Sequence, residues 1–325
     1  MKIAVVGTNF ITVRFLEAAR LHKEFELAAV CGSSVDKAAA FAAGYGNVPA
    51  YGDYCELASL EGLEGVYIAS PNQLHCPMTL FFLEAGIPVL CEKPLAPSLA
   101  EARQMVEVSH KHGTLLIKAI VPMFIPNLAR LREYLPRIGT VRKAVLSFCQ
   151  YSSRYDRYRA GTVENAFDPR YMGGSLLDIG LYPLYHAMAL WGKPDSTLAS
   201  GNMLSSGVDG SGTALLCYEG MEAVIIHSKT NNTCLQNEIQ GEDGSLLYNS
   251  GSNPTEIWYC PRGGERELIT VPQYEERMYY ELDEFIRCIK SGEIQSPLAP
   301  HAQSLEVYEV TDEIRRQIGY KLPVD

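Results

Sequence analysis

The chain has no excess of cations. Its 28 lysines and arginines stand against 38 aspartates and glutamates, for a formal net charge of −10. Nucleic acid and anionic membrane surfaces both demand clustered positive charge, so neither is expected as the main partner. No uninterrupted apolar run approaches the roughly 20 residues of a membrane span. The sequence opens straight into an apolar strand, Met1-Lys2-Ile3-Ala4-Val5-Val6-Gly7, without the basic and hydrophobic leader of a secreted protein. The nine cysteines are odd in number, scattered, and contain no C-x-x-C pair. Cys31, Cys91 and Cys217 sit in apolar runs, where a thiol serves as a small core residue. This usage argues against a disulfide framework and for a reducing compartment, the cytoplasm. No cysteine and histidine set has zinc spacing, and no metal is expected. Internal repeats and low-complexity linkers are also missing.

What is present is a chain of 325 residues, 47% hydrophobic and 20% charged, long enough for two soluble domains. In its first third, apolar runs at Ile3–Val6, Leu27–Cys31, Gly65–Ala69, Ile87–Cys91 and Thr114–Ala119 alternate with helical patterns. Those patterns cover Val13–Leu21, Asp36–Ala43, His75–Ala85 and Ser98–His112. Continuous runs separated by helices mean a parallel sheet covered on both faces. Gly86 and Gly113 stand where left-handed helix caps are needed, and Ser98 with Glu101 forms a capping pair. The fold class is therefore α/β, with a doubly wound Rossmann domain over residues 1–120. From 121 to 325 strand-like runs follow one another, at Gly212–Tyr218, Glu222–Thr230, Thr233–Gln240 and Ser245–Tyr248, joined by tight turns. They predict a C-terminal α+β domain with a large, mainly antiparallel sheet. Helices are expected at Pro126–Tyr134, Leu176–Trp191, Glu276–Ser291 and His301–Gln317. The first two cover one sheet face only and leave an open apolar face, which predicts a homo-oligomer.

Ligands of an open α/β sheet gather at the carboxyl ends of its strands. The turn after the first strand reads Gly7-Thr8-Asn9-Phe10-Ile11-Thr12. Only the first glycine of a G-x-G-x-x-G fingerprint stands; Asn9, tolerant of positive φ, is a candidate substitute for the second. A plain strand-to-helix turn is the alternative. The second strand ends in Cys31-Gly32-Ser33-Ser34 without a carboxylate to read a ribose 2′-hydroxyl, which leans the cofactor choice from NAD towards NADP. Later strands end in Ser70-Pro71-Asn72 with His75, and in Glu92-Lys93-Pro94. A lysine there can hold a substrate oxygen and assist proton transfer, or be half of an exposed ion pair with Glu92. In Gly173-Gly174-Ser175-Leu176-Leu177-Asp178-Ile179-Gly180-Leu181-Tyr182, the four-residue spacing puts Asp178 and Tyr182 on one helix face. That pair is an acid–base group or an ordinary polar helix edge.

Taken in order, these motifs resemble the glucose–fructose oxidoreductase, inositol dehydrogenase and MocA family over nearly the whole chain. The likeness includes Ser296-Pro297-Leu298-Ala299-Pro300 and the closing helix that follows it. The resemblance implies a nicotinamide-dependent dehydrogenase or reductase acting on the CH–OH group of a sugar, sugar derivative or cyclic diol. It makes Lys93 the catalytic lysine, Asp178 the aspartate that positions substrate, and Tyr182 the acid/base of the dihydrodiol-dehydrogenase-like branch. It makes Ser70, Pro71, Asn72, His75, Glu92 and Lys93 cofactor contacts, which join Gly7, Thr8, Asn9, Phe10, Ile11, Gly32, Ser33 and Ser34 from the strand-end reading. The chain departs from the family at Lys118-Ala119 and Pro122-Met123-Phe124, where many members have Glu-Ala and Tyr-Arg-Phe. A non-catalytic dinucleotide sensor of the same fold is the alternative function; redox-assisted glycoside cleavage would need further acid–base or metal residues. The Tyr- and Arg-rich stretch Gln150–Gly174 reads as a sugar- or anion-binding segment or as a solvated loop. His110 and His112 suit a helix C-terminus, and His186 reads as a packed residue.

Overall fold

A computed structural model describes residues 1–322; the last residues of the expected second domain, 323–325, lie outside them. The chain divides into two compact units, Met1–Phe124 with Tyr274–His301, and Ile125–Gln273 with the residues from Ala302 on. The sequence places everything after residue 120 in the second domain, whereas Tyr274–His301 returns to the first. The reason is a face of α8 (Tyr279–Ser291) on which Leu282, Phe285 and Ile286 are buried, with the Phe285 ring lying against Gly65.

The first unit holds a six-stranded sheet of β1 (Lys2–Val6), β2 (Glu26–Cys31), β3 (Ala50–Tyr51), β4 (Gly65–Ile68), β5 (Val89–Glu92) and β6 (Leu116–Ala119). Its order is β3-β2-β1-β4-β5-β6, all parallel. The order reverses beside β1, the switch point where an open sheet forms its ligand crevice. The short β3 has no apolar run of its own and is not expected from the sequence. Helices α1 (Phe10–Ala19), α2 (Val35–Ala42), α3 (His75–Glu84) and α4 (Leu99–His112) connect the strands. The Ser98 side chain accepts from the Glu101 amide, and Gly113 closes α4 at φ +64°. Phe15 of α1 stacks on Tyr67 of β4 with ring centroids 3.8 Å apart.

The second unit is built on eight strands. They are β7 (Val141–Cys149), β8 (Ser196–Met203), β9 (Asp209–Tyr218), β10 (Met221–Ser228), β11 (Asn237–Gly241), β12 (Gly244–Tyr248), β13 (Ile257–Pro261) and β14 (Glu267–Leu268). The order is β14-β13-β12-β11-β7-β10-β9-β8, antiparallel except for the central β7–β10 pair. Ala144, Leu146, Leu216, Ile225, Ile239 and Leu246 are buried on the core face. The helices of this unit are α5 (Pro126–Tyr134), α6 (Tyr155–Arg159), α7 (Leu181–Trp191) and α9, which starts at His301 and runs to Ile318. The single helix expected over Leu176–Trp191 is instead a π-helical turn, Leu176–Gly180, followed by α7. Of the stretch Gln150–Gly174, Tyr155–Arg159 is helical, and Phe167 is buried against Tyr155 and Tyr158.

Candidate active site

Four strand ends of the first unit carry the residues expected to meet a dinucleotide. Gly7 follows β1 at φ +115°, and a Cβ there would lie 2.3 Å from the Ala69 carbonyl oxygen, so no other residue fits the turn. Asn9 behaves differently from the expectation of a left-handed residue. It is extended, at φ −93° and ψ −178°, and caps α1: its side-chain oxygen accepts from the amides of Ile11 and Thr12. Its amide nitrogen donates to the Ala69 oxygen at 2.7 Å. Asn9 thus satisfies two of the helix's open amides, the groups a glycine turn would leave for a pyrophosphate. Phe10 is 71% exposed.

At the tip of β2, Ser34 caps α2 by accepting from the Lys37 amide, and the Lys37 ammonium donates to Ser33 Oγ at 3.1 Å. The sequence reading passes over Lys37. Its cue was the spacing of a lysine four residues after a strand-tip serine. After β4, Ser70 and Asn72 are half-buried and Pro71 is exposed. His75 is buried with Nδ1 2.8 Å from the Pro94 oxygen and Nε2 3.0 Å from the Ser70 oxygen. It ties the Ser70 loop to the Glu92-Lys93-Pro94 loop rather than presenting its ring to solvent. Glycine at the β1 turn, small hydroxyls beside an ammonium at β2, and polar loops after β4 and β5 fit a dinucleotide with a charged ribose.

Glu92 is not half of an exposed ion pair. It is buried; Oε1 accepts from Tyr67 Oη at 2.7 Å and Oε2 from the Lys93 amide at 3.1 Å. Glu281 of α8 is fully buried, and neither of its carboxyl oxygens has a hydrogen-bond partner. Burial, then the charge of Glu92, holds Glu281 well above the ordinary carboxyl range. Burial also raises Glu92, against which the Tyr67 hydroxyl and Lys93 favour its charged form, so of the two Glu281 is the more strongly held in its neutral form.

In the second unit, the π turn is pinned from the two strands beneath it. Gly174 has φ +98°, and a Cβ there would be 2.5 Å from Asp209 Oδ1. Asp209 Oδ2 accepts from the Leu176 amide at 2.8 Å, and His227 Nδ1 lies 3.0 Å from Ser175 Oγ. Burial pushes Asp209 up to about 6 and His227 down to about 4. At neutral pH their 3.5 Å contact joins a carboxylate to a neutral ring. Two residues on from His227, Lys229 Nζ donates to Asp178 Oδ2 at 2.5 Å and lies 5.4 Å from the centre of the Phe167 ring. Tyr182, in the first turn of α7, is half-buried with its ring edge-on to Phe148 at 5.5 Å. A carboxylate anchored by a lysine and a phenol four residues on form a group able to orient a hydroxyl and exchange its proton. His186 is buried against Tyr248, and burial pushes it down to about 4, the packed role expected of it.

Residues 1–119 match the oxidoreductase family with an NAD-binding Rossmann fold, GFO/IDH/MocA, and residues 133–247 match that family's C-terminal domain. The chain belongs to the GFO/IDH/MocA family. It is 42% identical to the scyllo-inositol 2-dehydrogenase (NADP(+)) IolU of Bacillus subtilis, covering 100% of this chain and 99% of the relative. It is 31% identical to the trans-1,2-dihydrobenzene-1,2-diol dehydrogenase of Mus musculus, over 93% of this chain and 91% of that one. Among solved structures, the 3-ketoreductase KijD10 of Actinomadura kijaniata, in complex with NADP, superposes with a TM-score of 0.84 at 24% identity, covering 98% of both chains. The protein is an NAD(P)-dependent oxidoreductase acting on a small molecule.

Within that family the departures after the sixth strand now have a physical setting. Lys118 lies beside Cys91 in the sheet, 6% exposed, and burial pushes it down to about 7. Met123 is 2% exposed, packed as a core side chain where many members have arginine. Where many members have an acid and a base, this chain has a buried lysine with a lowered pKa and a buried thioether. Lys229 is the other residue absent from the sequence reading. It stands 51 residues from Asp178 in the chain, and no local pattern links them.

Proposed function

We propose that this enzyme moves hydride between NADP and the secondary alcohol or carbonyl carbon of a cyclic polyol or sugar-like diol. The observation that carries the reading is Tyr182, set four residues beyond a lysine-anchored Asp178. It occurs in a chain 42% identical over its full length to an NADP-linked inositol dehydrogenase. In this reading residues 1–120 bind the dinucleotide and 121–325 bind substrate and assemble, with Tyr274–His301 bracing the first unit. Gly7 to Ile11, Gly32 to Ser34, Ser70 to Asn72 and Glu92-Lys93 would hold the cofactor, and His75 would fix two of those loops. The bound nicotinamide supplies or takes up the hydride. Tyr182 takes the hydroxyl proton in oxidation and returns it in reduction. Lys93 holds the substrate oxygen, and Asp178 fixes the neighbouring hydroxyl. Scyllo-inositol with NADP+ is the first pair to assay. NADPH formation supports the substrate class; no turnover of scyllo-inositol, or of trans-1,2-dihydrobenzene-1,2-diol, with either cofactor sinks it.

The choice of NADP rests on Ser33 and Lys37, a hydroxyl and an ammonium 3.1 Å apart where a 2′-phosphate would sit. A charge-assisted hydrogen bond contributes about 1.5–3 kcal/mol. Lys37→Met should therefore weaken NADP+ binding roughly 10- to 100-fold, with NAD+ affinity within a few-fold of wild type. Equal loss for both cofactors in a titration by calorimetry would refute this assignment.

Homo-oligomerisation is supported by the second sheet's other face. Leu247, Glu238, Val145, Val224, Leu215 and Leu198 form one row on that face, apolar except at Glu238, and Leu198 is 61% exposed. A homodimer or homotetramer would cover them. A cytoplasmic location is supported by nine cysteines, all unpaired. No helix among the described residues is long and apolar enough to cross a membrane.

A further inference from the structure

We propose that Lys229 is a positioning residue of the active site, acting on substrate only through Asp178; this rests on the reading of Asp178 as a substrate-facing residue. The ammonium is sealed: the Lys229 side chain is 5% exposed, whereas that of Asp178 is 41% exposed. Lys229 therefore stands behind the carboxylate, and Asp178 stands between it and anything arriving from solvent. The lysine's own direction is fixed at both ends. Its amide donates to the Gly210 oxygen at 2.9 Å, and its carbonyl accepts from the Ser152 amide at 2.9 Å. The Phe167 ring covers the ammonium, and that ring is held by Tyr155 and Tyr158. The Tyr- and Arg-rich stretch Gln150–Gly174 thus has a structural task, closing the space around the Lys229–Asp178 pair.

Asp209 of β9 is a second carboxylate whose charge Lys229 influences. His227 of β10 is neutral at physiological pH, and Tyr182 follows Asp178 on the next turn. A buried ammonium requires a counter-charge, because an unpaired one is strongly unfavourable away from water. Asp178 is the carboxylate in contact, so its Oδ2 is committed to the lysine. A carboxylate held in that place accepts from a hydroxyl in one direction, and a freely rotating one does not. The lysine consequently sets the aim of the group that orders the substrate.

The test compares wild type with Lys229→Met, Lys229→Arg, Asp178→Asn and the Lys229→Met/Asp178→Asn double variant, using scyllo-inositol and NADP+ as the probe pair. Lys229→Met should lower kcat/KM about 10- to 100-fold, the loss seen when a partner that orients a metal-site ligand is removed. NADP+ affinity should stay within a few-fold, and Lys229→Arg should restore most of the activity. The double variant should lose no more than the worse single, since both changes act through one carboxylate. A second readout needs no substrate and survives a poorly active variant. In carbon-13 NMR of aspartate-labelled protein, with Asp178→Asn for assignment, the Asp178 carboxyl should protonate at higher pH in Lys229→Met than in wild type. An unmoved titration, or additive losses in the double variant, overturns the proposal alone. If the titration moves but Asp178→Asn leaves kcat/KM unchanged, the reading of Asp178 as substrate-facing falls, and the proposal falls with it.

Discussion

Asn9 shows how a residue's type can be read correctly and its conformation wrongly. Asparagine is permissive at positive φ and is also a preferred helix cap; the second property prevails because the amides of Ile11 and Thr12 need an acceptor. Loss of such a cap costs about 1 kcal/mol with alanine and a few tenths with glycine. Asn9→Ala should lower stability to denaturant by that amount, whereas Asn9→Gly should be nearly neutral and free two amides for a phosphate. NADP+ affinity that is unchanged or tighter in Asn9→Gly, measured by calorimetry, agrees with the cap; a several-fold loss contradicts it. Strand ends and turn glycines mark their own positions, so most candidate site residues could be named from the sequence. Lys37 was visible only as spacing. Lys229 was not visible at all, since a contact across 51 residues leaves no trace in a periodic pattern.

Elements were legible wherever an apolar run or a cap marked them, as at β1, β4, β5 and α4. The two-residue β3 and β14 were not, because pairing to a neighbour rather than their own residues makes them strands. The π turn at Leu176–Gly180 was read as plain helix, since the wider turn follows from Asp209 capturing the Leu176 amide and Gly174 turning over it. β6 carries a pH dependence of its own. Lys118 has its folded pKa lowered from the ordinary lysine value to about 7, so in the native state it is neutral above that pH while the unfolded chain stays protonated to beyond 10. The unfolded state then binds more protons, and stability rises with pH across that window. The penalty is full below about pH 7 and fades above it. Lys118→Met removes it, so the variant should melt higher than wild type at pH 7, by roughly 2–4 °C for each kcal/mol recovered. The gap should narrow by pH 9. A gap that widens with pH in paired calorimetric scans would show that Lys118 is charged in the fold.

At the scale of the molecule, the two-sheet architecture followed from the change of pattern near residue 120, but the return of Tyr274–His301 did not. A helical pattern states that one face must be buried, and the partner it finds is settled by packing. The open face of the second sheet makes assembly testable in the same terms. Leu198→Glu with Val224→Glu should shift light scattering from an oligomer to a monomer of about 36 kDa while leaving dinucleotide binding intact. A wild-type protein that is already monomeric at working concentrations contradicts the expectation. The role of Tyr182 as the acid/base of an NADP-linked alcohol oxidation is tested most directly by the turnover of Tyr182→Phe. The substitution removes one oxygen and keeps the ring against Phe148. With scyllo-inositol and NADP+, the rate of NADPH formation should fall by about 10²- to 10⁴-fold, the usual contribution of a general acid–base group, with NADP+ affinity preserved. Turnover by Tyr182→Phe equal to that of wild type would contradict the account.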